Sequence, residues 1–398
     1  EKAFLAAGKA FAEAEGDAPK TWRRLAVALN AAGQPVWAAR AQQECIRGSR
    51  GRPDFRPDDE AFLGDLLLRG GKLDLARDVL EDLIRRHPDF IPAQMLLAAT
   101  WSSAARFEEA APIYRNILER SPDHIQALDG LARAAGWLGT RDEALRAGRR
   151  ALELKDTAVR KNTPAWRLDG CRVPAFDPRA RGRNVIAFSL WGDAPRYLET
   201  AVHNARIAPE IYPSWHCRFY CDDTVPQDVR DQLVALDAAV VMKKRPPMRH
   251  ASLFWRFLVA DDPKVDRFLI RDADSLLTVR ERVAVDDWLL GDKPFHAMRD
   301  WWSHTDLLLA GMWGGCGNLL TGIADRIAHY LQRPEVANRA LDQGFLAHVV
   351  WPAIRGHCLI HDDLYGSLGA RPFPPVGRLP QGEHVGMNAR GFDELRSR

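Results

Sequence analysis

The stretch Val265-Asp-Arg-Phe-Leu-Ile-Arg-Asp-Ala-Asp-Ser275 decides how the second half of this chain is read. Phe268-Leu269-Ile270 is a short apolar run of the kind that forms a buried strand, and two carboxylates follow where it ends. Residues two apart on extended chain point to the same side, so Asp272 and Asp274 face one space. Hard oxygen ligands suit Mg²⁺ or Mn²⁺, which binds few protein carboxylates and shares phosphate oxygens with its substrate. Such a metal neutralises a diphosphate as it leaves. D-x-D triplets also occur in surface loops. Position at a strand end is what gives this one meaning.

Working outward, short β-rich runs alternate with helical ones. Strands are expected at Asn184–Leu190, His216–Cys221, Val240–Met242, Arg267–Ile270, Phe295–Arg299, Leu307–Ala310 and around Cys358–Ile360. Helices are expected at 196–208, 227–236, 252–260, 324–331 and 335–348. This alternation implies a doubly wound α/β domain with a mainly parallel sheet, whose ligands bind beyond the carboxyl ends of the strands.

A series of local patterns surrounds the acidic triplet. Phe188-Ser-Leu-Trp-Gly-Asp193, Arg196-Tyr197, His203-Asn204-Ala205 and Tyr212-Pro213 precede a strand ending in Tyr220-Cys-Asp-Asp223. Phe254-Trp-Arg-Phe257, Met298-Arg-Asp300 and Gly311-Met-Trp-Gly-Gly315 follow in order. In order and type, residues 184–388 resemble GT-A-fold glycosyltransferases that use nucleotide-diphosphate sugars, as found in bacteria fused to other modules. The resemblance implies a Rossmann-like nucleotide-diphospho-sugar transferase domain over 184–398, with Mn²⁺ or Mg²⁺ and a sugar nucleotide as donor, UDP-linked before GDP-linked.

Carried over position by position, the resemblance implies that the loop Ser189 to Asp193, with Trp191 and Gly192, cradles the nucleotide. Asp222 and Asp223 would meet base or ribose, though a turn before Pro226 explains the pair as well. Arg256, 16 residues before Asp272, would pair with a phosphate or hold an aspartate; a surface ion pair is the bland alternative. Gly311 and Trp313 belong to a loop that faces donor sugar or acceptor in the family, or else to a tight hairpin. Asp342, with Gln343, would lie near the reacting centre or on a solvated helix face. Asp300 and Asp342 are the two candidates for a general base. A late histidine often completes the metal site in the family, which makes His361 the first candidate and His384 the reserve. No Lys-Pro-Trp follows either, which departs from the best-known pattern. Trp301 and Trp302 could stack on an acceptor or pack at a sheet edge, and the basic run Met242–Arg249 could draw in an anionic donor or be a solvated loop.

Residues 1–156 have a different grammar, helix after helix. Ala76, Ala110 and Ala144 recur at steps of 34, as do Pro88 and Pro122. Leu63-Gly64, Leu97-Ala98 and Leu131-Ala132 share one phase, and Leu80 and Tyr114 another, followed by Leu83, Ile117 and Ala151. Small residues at such a phase let two antiparallel helices approach, while larger ones fill the groove between pairs. These units resemble the tetratricopeptide repeat, and a looser unit runs from Trp22 through Leu25-Ala26 and Gly33 to Ala38. An insertion at Arg47–Pro53 breaks the register. The resemblance implies an all-α solenoid whose surface meets a protein partner, a peptide or glycan acceptor, or the enzyme itself. Proline and arginine between Thr163 and Arg183 read as a linker, 157–183.

A chain of 398 residues is long for one core, and 46% apolar with 27% charged residues is ordinary globular composition. A formal charge of +3 is too small to argue for nucleic acid. No apolar run approaches the ~18 residues of a membrane span. The N-terminus lacks a signal-peptide layout, and a start at Glu1 rather than Met is expected of a fragment. Six cysteines without a CxxC pair argue against zinc held by thiolates and for a reducing, cytoplasmic setting. Two functions are expected in order: metal-dependent transfer of a sugar to a hydroxyl acceptor, then a repeat scaffold carrying an inactive sugar-nucleotide fold.

Overall fold

Ala76, Ala98, Ala110, Ala132 and Ala144 are all fully buried, because the eight helices among the described residues of this region pack against one another through these small side chains. The helices are α1 (Ala18–Ala31), α2 (Pro35–Ser49), α3 (Pro57–Arg69), α4 (Leu73–Arg86), α5 (Ile91–Ser103), α6 (Phe107–Arg120), α7 (Ile125–Trp137) and α8 (Arg141–Val159). This is a computed structural model, and it describes residues 17–49, 55–248, 250–333 and 341–388. The chain divides into two units, Glu1–Ala151 and Leu152–Arg398, with the boundary inside α8.

In the first unit the 34-residue step is visible in the backbone. Gly71, Ala105 and Gly139 occupy the same turn position and all adopt left-handed φ, at 70°, 56° and 76°. Glycine takes that conformation without steric cost, and alanine does not. Leu80 and Tyr114, one step apart, are buried against glycines of the neighbouring helix: a Cβ on Gly64 would overlap Leu80, and one on Gly130 would overlap the Tyr114 ring. The looser first unit follows the same logic, with Trp22, Ala26 and Ala38 buried and Gly33 left-handed. Residues 50–53 of the expected insertion lie outside the described residues.

The second unit is built on seven strands: β1 (Asn184–Leu190), β2 (His216–Cys221), β3 (Ala239–Met242), β4 (Arg267–Ile270), β5 (Phe295–Arg299), β6 (Trp313–Cys316) and β7 (Cys358–Asp362). Their order is β3-β2-β1-β4-β6-β5-β7, with β6 antiparallel to both neighbours and every other pairing parallel. The helices are α9 (Pro195–Ile211), α10 (Gln227–Ala235), α11 (Val279–Leu289), α12 (Ile323–Leu331), α13 (Leu341–Phe345) and α14 (Trp351–Ile354), with a 3₁₀ helix at Ala251–Asp261. Ile186, Phe188, Phe219, Leu269 and Trp288 belong to one buried cluster of this unit.

Two expected strands need correction. Leu307–Ala310 is a turn rather than a strand, since the Arg299 guanidinium donates to the carbonyls of Asp306 and Leu307 at 3.1 and 3.0 Å and takes acceptors a ladder would use. The strand is instead Trp313–Cys316, which glycines had made look like a loop. A Cβ on Gly314 would lie 2.5 Å from the Phe268 carbonyl, and one on Gly315 would lie 2.5 Å from the Phe295 ring, so these glycines serve close sheet packing. Helix α11, capped by the Thr278 hydroxyl, was not expected, and residues 335–340 of the expected late helix lie outside the described residues. Residues 157–183 fall within the second unit: Leu168 is buried, Phe176 stacks on Trp215 at 5.8 Å, and Trp166 donates to the Thr321 carbonyl. Apolar anchors override a linker-like composition there.

Candidate functional site

The chain passes from β1 to β2 on one side of β1 and places β4 on the other, so the order of the sheet reverses between β1 and β4. A crevice opens at the carboxyl ends of strands that diverge in this way. Ala187 pairs with Ile270, which brings the loop after β1 level with the acidic run after β4. A cavity of about 510 Å³ lies there, lined by Ser189–Ala194 and Tyr197, by Arg245, His250, Leu253 and Arg256, and by Asp272–Asp274.

Arg256 organises the floor. It is 2% exposed, and its guanidinium pairs with Asp272 through one nitrogen and with Asp342 through another at 2.8 Å. Its backbone amide donates to the Ser189 hydroxyl at 2.9 Å, and that hydroxyl donates to the Leu253 carbonyl at 3.2 Å. Four residues singled out from sequence, Ser189, Arg256, Asp272 and Asp342, are thus one connected group. Burial raises the Asp342 carboxyl, and the Arg256 charge opposes this without cancelling it. Burial likewise raises Asp274, and the neighbouring Asp272 charge adds to the shift.

The loop after β1 is fixed by a contact that sequence reading missed. Gly192, at φ 78°, donates its amide to the Thr224 hydroxyl at 2.7 Å, and that hydroxyl in turn bonds Asp222. Asp222 also accepts from the Thr224 amide at 3.0 Å, an Asx-type turn. The Asp222-Asp-Thr224 sequence carried that signal. The other Asp222 oxygen is buried and has no hydrogen-bond partner, with Arg245 at 3.9 Å. Asp223 is exposed and does not line the cavity. Of the basic run, Arg245 lines it, while Arg249 lies outside the described residues.

Gly311 and Trp313 separate. A Cβ on Gly311 would overlap the Asp272 carboxylate, so this glycine leaves room for the first aspartate. Trp313 is fully buried on β6, against Phe257 and Phe268, and is a packing residue rather than part of the cavity wall. Trp215, Trp288 and Trp351 are also buried, whereas Trp191 reaches the cavity.

His361 does not serve as the expected third metal ligand. It is fully buried on β7, and both ring nitrogens are engaged, Nδ1 with His296 Nε2 and Nε2 with Asp287, each at 2.8 Å. Three strand positions separate β7 from β4, with β6 and β5 between. Asp300 and His384 lie together, also away from the cavity lining: the Val385 amide donates to the Asp300 carboxylate, and Trp301 stacks on His384. Trp302 accepts a hydrogen bond from Tyr365 through its carbonyl. The cysteines among the described residues are all free thiols. Cys217 and Cys221 are buried on β2, and burial pushes each up to about 12, so both are packing residues. Among the described residues no helix is long and apolar enough to cross a membrane.

No protein-family model matches this chain, and no curated protein matches it. Solved structures do match, over the helical repeat. A MamA structure from Desulfovibrio magneticus RS-1 is 19% identical, covers 34% of this chain and 75% of its own, with a TM-score of 0.32. Two further MamA crystal structures, 20% and 19% identical, cover 39% and 40% of this chain, 88% and 85% of their own, each with a TM-score of 0.34. Scores of this size carry no argument about function.

Proposed function

We propose that the second unit is a metal-dependent glycosyltransferase of GT-A type, moving a sugar from a nucleotide-diphosphate donor to a hydroxyl acceptor. One observation carries the reading: Asp272 and Asp274, which follow β4 at its carboxyl end, both line a cavity at the reversal point of the sheet. The donor set fits Mn²⁺ or Mg²⁺, since two oxygen ligands leave the remaining positions to phosphate and water. When bound, such an ion neutralises the departing diphosphate.

The chain's own residues supply the rest. Arg256 holds Asp272 in one orientation and offers a fixed cation at the cavity floor, with Asp342 positioning the guanidinium from behind. Gly192 and its Thr224–Asp222 support shape the loop that would cradle the nucleotide. Arg245 adds positive charge at the cavity wall, while Asp222, buried and outside the lining, supports the loop through Thr224. Asp300 does not line the cavity, so no general-base role is assigned to it. Binding and positioning are the main sources of rate in this scheme. The helical repeat is assigned to a protein partner or acceptor, as stacked helix pairs commonly are.

A thermal-shift panel of UDP- and GDP-sugars with and without Mn²⁺ tests this, followed by assay of sugar release. The expected result is a rise in Tm for one donor class that requires the metal. If no donor stabilises the chain, the reading that remains is a repeat scaffold carrying an inactive sugar-nucleotide fold.

A further inference from the structure

Beyond the cavity, a second group of side chains converges where β5 ends. Asp300 follows β5 directly, His304 sits one turn later, and His384 arrives from a segment more than 80 residues downstream. One ligand atom from each lies within 4.8 Å of the others. His304 Nδ1 is 3.6 Å from Asp300 Oδ1 and accepts the Asp300 amide at 3.2 Å, a bond that an ion at Nδ1 would replace, and the two imidazoles meet edge to face at 4.9 Å between ring centres. A four-coordinate ion with bonds of about 2.1 Å sets its ligands about 3.4 Å apart, so little movement closes the group around one ion.

We infer that Asp300, His304 and His384 form a second cation site, of the class that takes Zn²⁺ through two imidazoles and one carboxylate. This inference does not rest on the glycosyltransferase reading.

Two further features fit that chemistry. His384 Nδ1 lies 2.8 Å from the Val385 carbonyl, so its N–H donates there and Nε2 keeps its lone pair. A histidine whose other nitrogen is anchored to a carbonyl is the usual arrangement around a metal. The Asp300 carboxylate is held from outside by the Val385 amide, at 3.1 and 3.2 Å to its two oxygens. Its nearest cation, Arg280 at 3.9 Å, is itself paired with Asp363.

The site is separate from the D-x-D pair. β6 lies between β4 and β5, so the two strand ends are two spacings apart, about 10 Å. An ion here would tie His384 to β5. The chain that follows His384 lies along the acidic run: Ser275 donates its hydroxyl to the Gly386 carbonyl at 2.9 Å, and Leu276 donates its amide to the Met387 carbonyl at 3.4 Å. The cation would thereby fasten the late segment beside Asp274.

The test uses the full chain, stripped with chelator and titrated with Zn²⁺ by calorimetry. The expected result is about one tightly held equivalent, lost in His304→Gln and His384→Gln and kept in Asp272→Asn and Asp274→Asn. Melting curves in chelator should coincide for the unaltered chain and the two histidine variants, separating ligand loss from misfolding. Should the histidine variants fold poorly, Co²⁺ added to the unaltered chain provides the second readout, visible bands of a four-coordinate N/O site that Zn²⁺ abolishes. Zinc retained by both histidine variants, or lost equally in Asp274→Asn, overturns the inference, as does a featureless Co²⁺ spectrum.

Discussion

The two units of this chain keep their buried polar groups on different terms. The helical repeat holds most of its ion pairs at the surface, such as Arg77–Asp74 and Arg150–Asp123, and fills its interior largely with alanine and leucine, with Tyr114 where Leu80 stands one step earlier. The α/β unit buries arginines outright: Arg256, Arg271 and Arg299 are each at most 2% exposed and each faces a carboxylate. Surface pairs contribute little, typically below about 1 kcal/mol, while breaking a buried one leaves an unmatched charge. A repeat therefore tolerates change locally. The α/β unit concentrates its sensitivity in a few charged side chains, and one of them, Arg256, lines the crevice.

That contrast is broken most directly at Arg256. Arg256→Ala strands Asp342, and in part Asp272, without their cation, and should cost about 3 kcal/mol of stability by denaturant titration. No single exposed arginine of the repeat should approach this, and Arg150→Ala at about 0.5 kcal/mol or less is the matched control. Equal losses would remove the distinction.

Glycine replacement gives the next largest effect. Gly314→Ala presses a methyl group on the Phe268 backbone carbonyl in the centre of the sheet, where nothing can turn aside. The expected loss is about 2–3 kcal/mol. Gly130→Ala in α7 overlaps only the Tyr114 ring and gains helix propensity of about 1 kcal/mol, so its loss should be smaller. The order of the two, measured in the same denaturant series, is the test.

The smallest effect has the opposite sign. Ala105 stands where Gly71 and Gly139 stand one repeat away, at φ 56°. Ala105→Gly removes the left-handed strain and should raise stability by roughly 0.5–1 kcal/mol, net of the greater freedom glycine has when unfolded. A loss of stability would mean the turn gains more from the alanine side chain than the backbone gives up.

The same contrast explains what could be read in advance. A period of 34 is a local property repeated in the sequence, so Leu80, Tyr114 and the alanines were assignable without a sheet or partner. In the second unit the apolar strands β1, β2, β4 and β5 were legible, and so were Ser189, Arg256, Asp272 and Asp342 as members of one site. Contacts that join distant segments were not. Strand β6 was hidden because Gly314 and Gly315 answer to neighbours from β4 and β5. His361 looked available because nothing in the sequence shows that His296 and Asp287 already occupy both its nitrogens. Asp300 and His304 are four apart, but their convergence with His384 is set by the return of the chain after β7.

The central claim is that Asp272 and Asp274 bind a divalent ion together with a nucleotide diphosphate. Calorimetric titration of UDP and GDP into the protein in Mn²⁺, repeated with Asp274→Asn, measures this without any assumption about acceptor or sugar. Binding that needs Mn²⁺ and weakens at least about tenfold in the variant, a difference of about 1.4 kcal/mol, is the predicted result. Equal affinity in wild type and variant, or no binding of either nucleotide in Mn²⁺, would contradict it.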